Sequence, residues 1–99
     1  MDVGFGSNAL RRCYEDPKAG QRAWGATVAR LFIRRVDQLA ACANERDMRA
    51  LRALRLHALA GKRKGQCAID LDGFWRIILT FGATNEIVIV EEVSKHYGD

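Results

Sequence analysis

The sequence predicts an α+β fold, in which two to three N-terminal helices pack on one face of a small antiparallel β-sheet. In the first half of the chain apolar residues recur every three or four positions, which is typical of amphipathic helices. In the second half they alternate, which is typical of strands. Helices followed by a run of strands favour a single sheet with the helices on one side. The length of 99 residues suits one domain, so we expect residues 1–99 to form a single domain.

The expected helices each have a recognisable start. Ser7 or Asn8 can cap a first helix, and Asp16-Pro17 combines a capping acid with proline at the first helical position. After that start, one apolar stripe continues to the early forties and predicts a single long helix. Asn44 begins a shorter helical piece. The expected helices cover residues 9–15, 17–43 and 45–54.

The expected strands follow from alternation and from a turn signal. Asp72-Gly73 is typical of a two-residue hairpin, so residues whose numbers sum to 145 should pair across it. Arg76 would then lie opposite Ile69. A cation on that face suggests a groove for an anion, although its stem could also pack on apolar neighbours while its head reaches an acid at the rim. The expected strands are 66–71, 74–81 and 86–93, with a possible edge strand over 1–6.

Composition excludes several classes of protein. No apolar run approaches the ~20 residues of a membrane span, and the start of the chain lacks a secretory signal, so we expect a cytoplasmic protein without membrane contact. Cys13, Cys42 and Cys67 have neither a disulfide-framework nor a metal-ligand spacing and should be reduced. Sixteen Lys and Arg against 12 Asp and Glu give a net charge of +4, which favours polyanionic partners.

Three sequence features could contact phosphates or move protons. Lys62, Arg63 and Lys64 stand between two glycines just before a strand, and such a loop can bring charge and backbone N–H groups to phosphates. It could equally be a solvated loop. His57 can give or take a proton near neutral pH, or serve as a structural histidine. The series from Arg46 to Arg55 indicates a basic surface or a solvated one.

The last residues of the chain form a fourth candidate group. Ser94, Lys95, His96 and Tyr97 follow the final strand, and their different proton affinities suit acid–base chemistry. A disordered tail is the alternative.

Metal and nucleotide chemistry lack support in the sequence. No nucleotide-binding loop, dinucleotide fingerprint or His/Cys metal cluster is present. Glu91 and Glu92 are adjacent on a strand and should point to opposite faces, although either could neutralise an arginine, depending on the strand register. A two-metal nuclease is therefore disfavoured, and we expect neither a metal nor another cofactor.

The second half of the chain resembles a known toxin family. The motifs are Leu54-Arg55-Leu56-His57-Ala58-Leu59-Ala60-Gly61, Gly61-Lys62-Arg63-Lys64-Gly65, Phe74-Trp75-Arg76-Ile77 and Val90-Glu91-Glu92-Val93 with His96. Together they resemble the HigB-like branch of the RelE/ParE superfamily. The chain departs from the family pattern at Ala58 and Ala60, and Ser94-Lys95 stands where an acid and a tyrosine are common.

The resemblance implies a toxin of a type II toxin–antitoxin pair. It implies cleavage of mRNA on the ribosome without metal, and an antitoxin partner that is usually a helix-turn-helix protein. His57, Arg63, Arg76 and His96 match the family's functional positions. ParE-like relatives poison DNA gyrase instead, so a non-enzymatic gyrase poison stays open, as does a basic nucleic-acid-binding module.

RNA cleavage by its own 2′-hydroxyl gives each residue an expected role. His57 and His96, with Lys95 as a substitute, would share the two proton transfers, while Arg63 and Arg76 would stabilise the phosphorane. The remaining residues would bind RNA, either by stacking on a base or by holding phosphates. These are Tyr97 for stacking, and Arg55, Lys62 and Lys64 for phosphates.

Overall fold

The computed structural model describes residues 1–95, and this part of the chain forms four α-helices and five β-strands. Two 3₁₀ turns, Arg52–Leu54 and Gly61–Arg63, lie on either side of the second strand. The α+β prediction is confirmed. In chain order the elements are β1 (Asp2–Phe5), α1 (Asn8–Glu15), α2 (Pro17–Trp24), α3 (Ala26–Ala41), α4 (Glu45–Ala50), β2 (His57–Ala58), β3 (Cys67–Asp70), β4 (Trp75–Phe81) and β5 (Ile87–Lys95).

The predicted helix starts are confirmed by their caps. The side chains of Ser7, Asp16 and Asn44 each accept a hydrogen bond from a backbone N–H in the first turn of the helix that follows. The single long helix over 17–43 is wrong, because Gly25 separates α2 from α3 with a φ of 88°. The apolar spacing continues across this glycine, so periodicity alone did not reveal the break.

The break at Gly25 lets α2 fold back against α3. Gly20 of α2 lies so close to Ala29 of α3 that a Cβ at position 20 would be 2.9 Å from the Ala29 Cβ. No helix within residues 1–95 is both long and apolar enough to cross a membrane.

The sheet has the order β1-β5-β4-β3-β2 and is mixed. β1 is an edge strand, as expected, but it pairs parallel with β5, whereas all other neighbours are antiparallel. The chain crosses from β1 through all the helices before it returns, so the first strand can join the last in parallel. The expectation of a purely antiparallel sheet is corrected accordingly. β2 was not among the predicted strands, because its two residues are too few to show alternation in the sequence.

The hairpin between β3 and β4 has a different register from the predicted one. Ile69 pairs with Ile77, and Asp70 pairs with Arg76. The loop has three residues, because Leu71 N–H donates to the Trp75 carbonyl at 3.0 Å. The longer loop changes every cross-strand partner by one residue. Arg76 therefore lies beside Asp70 and on the opposite face from Ile69.

The two faces of the sheet differ in what covers them. One face is covered by the helical layer and carries the core, to which all four helices contribute residues and in which the largest side chains are fully buried. We call the opposite side the outer face. Core residues from both layers include Phe32, Leu39, Met48, Ile69, Ile77, Leu79, Val88 and Val90.

A β-bulge in β5 changes the outer face. Ile78 pairs with Glu92, but Leu79 pairs with Val90, so Glu91 is one extra residue. Glu91 accepts a hydrogen bond from the Thr80 hydroxyl at 3.2 Å, and Thr80 shares the outer face with Ile78. The bulge thus brings Glu91 and Glu92 to the same face, and the prediction that they point to opposite faces is wrong.

Candidate functional site

Strand register brings several of the predicted residues together on the outer face. One row across the sheet runs from His57 through Ala68 and Ile78 to Glu92. Cross-strand partners share a face, so the imidazole and the carboxylate lie at the two ends of this row. A second row, two residues further along each strand, consists of Asp70, Arg76 and Ser94.

Arg76 is the central cation of the outer face. It is partly exposed, and its Nε and the neighbouring Ser94 Oγ are shielded from solvent without a hydrogen-bond partner. The guanidinium makes no ion pair with any carboxylate in residues 1–95, so the alternative in which its head reaches a rim acid is not observed there. A guanidinium with unused donors is suited to gripping the oxygens of an incoming anion.

Asp70, the cross-strand neighbour of Arg76, is bound by other arginines. Its carboxylate lies 3.3 Å from Arg55 Nη1, and its backbone carbonyl accepts from Arg35 Nε at 3.1 Å. Arg76 therefore keeps its binding capacity although an acid lies beside it in the sheet. Sequence reasoning missed Asp70 as a site residue, because its place beside Arg76 depends on the hairpin register.

Arg63 reaches the outer face from the loop between β2 and β3. Its Nη2 donates to both carboxylate oxygens of Glu92 at 3.1 Å, and its Nη1 donates to Gln66 at 3.1 Å. The link joins residues 29 positions apart and ties the loop to β5. The sequence left open whether Glu91 or Glu92 neutralises an arginine. In the structure Glu92 does so, by pairing with Arg63.

His57 is exposed at the end of its row. Its Nδ1 lies 2.7 Å from the backbone carbonyl of Arg55. Since a carbonyl only accepts, this contact assigns the proton to Nδ1 and leaves Nε2 as the nitrogen without a proton in the neutral ring. Arg55 adopts a left-handed conformation with φ 50°, which turns the chain immediately before β2. Nε2 is therefore available to accept a proton, and the doubly protonated ring could donate one.

Lys62 and Lys64 lie exposed on the loop that carries Arg63. Gly61 and Gly65, at either end, have φ values of 64° and 95°, which glycine adopts without strain. The loop therefore presents both ammonium groups to solvent near the site.

The C-terminal candidates are not all on this face. Lys95 pairs with Trp75, and its Nζ lies 5.1 Å from the centre of the Trp75 ring. Trp75 packs against the core, so Lys95 lies on the face opposite Arg76. His96 and Tyr97 lie outside the described residues.

The cysteines are not part of the candidate chemistry. All three are free, and burial raises the pKa of each thiol above its ordinary value. Such thiols are poor nucleophiles at neutral pH. Over residues 1–95 there is also no group of three or more His, Cys, Asp or Glu side chains that could hold a metal ion.

Comparison with known proteins places the chain among toxins. The HigB-like toxin family, described as "RelE-like toxin of type II toxin-antitoxin system HigB", matches residues 3–96. No match is found among curated proteins.

Solved structures share the fold at low sequence identity. The YoeB/ParE toxin from Agrobacterium tumefaciens has a TM-score of 0.59 at 13% identity, covering 98% of this chain and 100% of that one. YafQ from E. coli strain BL21(DE3) has a TM-score of 0.59 at 13% identity, covering 96% and 92%. The YoeB-YefM complex from Staphylococcus aureus has a TM-score of 0.54 at 14% identity, covering 98% of both chains. At such identities the likeness concerns the fold.

Proposed function

Since this chain belongs to the HigB-like toxin family of type II toxin–antitoxin systems, we propose that it is an endoribonuclease that cleaves mRNA on the ribosome and thereby stops translation and growth. The observation that supports this most is Arg76, a central guanidinium whose Nε has no hydrogen-bond partner within residues 1–95, on the face that also carries His57 and Arg63. A phosphodiester would find cations and a proton-transfer group within one sheet face.

The proposed reaction uses the nucleophile that RNA itself supplies. A base removes the proton of the ribose 2′-hydroxyl, the oxygen attacks the adjacent phosphorus, and the 5′ oxygen leaves with a proton from an acid. The P–O5′ bond breaks as the new P–O2′ bond forms, which gives a 2′,3′-cyclic phosphate and a 5′-hydroxyl.

His57 takes one of the two proton transfers in this scheme, because the residue is exposed and its Nδ1 is fixed by the Arg55 carbonyl. His96 takes the other. Arg76 and Arg63 stabilise the extra charge on phosphorus. Lys95 receives no role, because it lies on the opposite face beside Trp75.

The surrounding groups would hold the RNA strand. Lys62, Lys64 and Arg55 are exposed around the site and would bind neighbouring phosphates in a salt-sensitive way. Tyr97 would stack on a base. The scheme needs no metal or other cofactor for the two proton transfers or for stabilising the charge on phosphorus.

The proposed regulatory partner is a cognate antitoxin, expected to be a helix-turn-helix protein of the same cytoplasm. Membership in a toxin–antitoxin family supports such a partner. So does the likeness to a toxin solved as the YoeB-YefM complex. Co-expression of this antitoxin with the toxin should restore growth, because the antitoxin should block access to the cationic outer face.

Induced expression followed by mapping of transcript ends tests the proposal. The wild-type chain should arrest growth and create new 5′ ends within coding sequences, and Arg76→Ala should reduce their frequency by about 10²–10³-fold. Arg34→Ala, at an exposed position on α3, is the matched control and should behave as wild type. Intact transcripts accompanied by DNA damage would contradict the proposal and favour a gyrase poison.

A further inference from the structure

We propose that the Glu92 carboxylate occupies the position on Arg63 that an RNA phosphate takes, so that substrate binding exchanges one anion for the other. This inference rests on the proposed function, since it assigns Arg63 to a phosphate of the substrate. It adds a residue that competes with the substrate within the site itself.

The contact between Arg63 and Glu92 resembles the grip of arginine on a phosphate. Nη2 of Arg63 lies 3.1 Å from both Oε1 and Oε2 of Glu92. A carboxylate and a phosphodiester both offer two oxygens to a guanidinium. The internal carboxylate therefore uses Nη2, a donor that an external phosphate would also need.

The pair can open without unfolding anything. The side chains of Arg63 and Glu92 are 35% and 44% accessible to solvent, and ion pairs at such exposure contribute little stability. The loop backbone is held separately, because Arg63 N–H donates to Ala60 and Gln66 N–H donates to the Arg63 carbonyl. Exchange therefore needs only side-chain rotation.

Arg55, Arg63 and Arg76 on the outer face differ in whether a carboxylate is bound to the guanidinium. Arg76 has no carboxylate partner within residues 1–95, whereas Arg63 holds Glu92 and Arg55 holds Asp70. The Arg55 side chain is 75% accessible, so water already screens its pair strongly. A phosphate that binds Arg76 would next contact Arg63. Removing the Glu92 carboxylate from Arg63 should therefore change RNA binding more than removing the Asp70 carboxylate from Arg55.

Glu91 provides a matched control on the same strand. The bulge places it next to Glu92 on the same face, but its carboxylate accepts from the neutral Thr80 hydroxyl. Glu91→Gln and Glu92→Gln remove the same charge one residue apart. Only the second releases an arginine, so the difference between them isolates the exchange from a general change in net charge.

Binding of a single-stranded RNA whose 2′-hydroxyls are methylated tests the exchange, because this probe cannot be cleaved. Glu92→Gln should tighten binding by about two- to fivefold relative to Glu91→Gln. Titration with inorganic phosphate should shift the Arg63 Nε–H NMR signal at lower concentration in Glu92→Gln than in the control.

The double variant decides whether Arg63 carries the effect. In an Arg63→Ala background, Glu92→Gln and Glu91→Gln should bind the methylated RNA equally. Equal or weaker binding by Glu92→Gln in the wild-type background would overturn the inference, as would tightening that persists without Arg63. Thermal unfolding of each variant confirms that the compared proteins are folded.

The outcome is separable from that of the proposed function. If the wild-type chain cleaves mRNA but Glu92→Gln binds the probe no better than Glu91→Gln, only the exchange fails. If the Arg63-dependent tightening is found but mRNA stays intact in the expression experiment, the exchange at Arg63 stands as anion binding and the nuclease proposal fails.

Discussion

The two faces of the sheet differ in role, although neighbouring residues form them. The helix-covered face carries the buried core, whereas the outer face carries the candidate anion-binding residues. Ile77 is fully buried in the core, whereas Arg76, one position earlier, lies on the outer face, and its Nε has no hydrogen-bond partner in the described part of the chain. Since side chains alternate along a strand, the backbone of β4 directs Ile77 to one face and Arg76 to the other. The comparison teaches that stability and anion binding are separated by a single residue step, so adjacent substitutions should give opposite phenotypes.

The largest effect is expected on the outer face at His57. His57→Ala should lower the rate of RNA cleavage by about 10²–10⁴-fold, because one proton transfer loses its group. The residue is exposed, so the free energy of unfolding should change by less than about 0.5 kcal/mol. Single-turnover cleavage and urea unfolding measure the two quantities. A wild-type rate would remove His57 from the mechanism.

The converse effect is expected on the helix-covered face at Ile77. Ile77→Ala leaves a cavity among fully buried neighbours and should lower the free energy of unfolding by about 2–5 kcal/mol. The fraction of molecules that stays folded should bind RNA as wild type does. Denaturant unfolding and RNA binding below the unfolding midpoint check this, and a variant of full stability would contradict the described core.

A smaller effect is expected between the helices. Gly20→Ala would place a Cβ 2.9 Å from that of Ala29, so α2 must move away from α3, at a cost of about 1–3 kcal/mol. Ala23→Gly, at an exposed position on the same helix, is the comparison and should cost about 1 kcal/mol from helix propensity alone. Calorimetry gives both values. A Gly20→Ala variant as stable as the wild-type chain would show that the close approach of α2 to α3 is unimportant.

The smallest effect concerns Tyr14 at the rim of the helical layer. Its hydroxyl donates to Asp37 at 2.5 Å. This hydrogen bond raises the pKa of Tyr14 above its ordinary value of 10.0, and burial and the charge of Asp37 act in the same direction. The folded state thus keeps a proton that the unfolded state loses, so the stabilisation is complete below about pH 10 and falls as pH rises further.

Tyr14→Phe checks the alkaline effect. The variant lacks the titrating hydroxyl, so its stability should decline less between pH 9 and 11 than that of the wild-type chain. Thermal unfolding across this range provides the measurement. Parallel declines in the two proteins would show that another group is responsible.

Local signals in the sequence were sufficient for much of the fold. Capping residues such as Ser7, Asp16 and Asn44 act within one helical turn, so their role can be recognised from neighbours alone. The break at Gly25 was missed because the apolar spacing continues through it. The parallel pairing of β1 with β5 was missed because it joins the two ends of the chain.

The candidate site was harder to predict, because it depends on register. Arg76 was correctly expected on a strand among apolar residues, but a three-residue loop places it beside Asp70 and opposite Ser94. The contact between Arg63 and Glu92 depends on the bulge at Glu91, which leaves no local trace in the sequence. Nonlocal geometry of this kind requires a three-dimensional structure.

The most direct measurement of RNA cleavage at the outer face is the chemistry of the product ends. An mRNA is translated with the purified chain, and a second mRNA carries one 2′-deoxy nucleotide at the mapped cut. The first should yield a 2′,3′-cyclic phosphate or its 3′-phosphate together with a 5′-hydroxyl, and the second should stay intact at that position. Cutting of the deoxy-substituted message, or ends that carry a 5′-phosphate, would contradict attack by the 2′-hydroxyl.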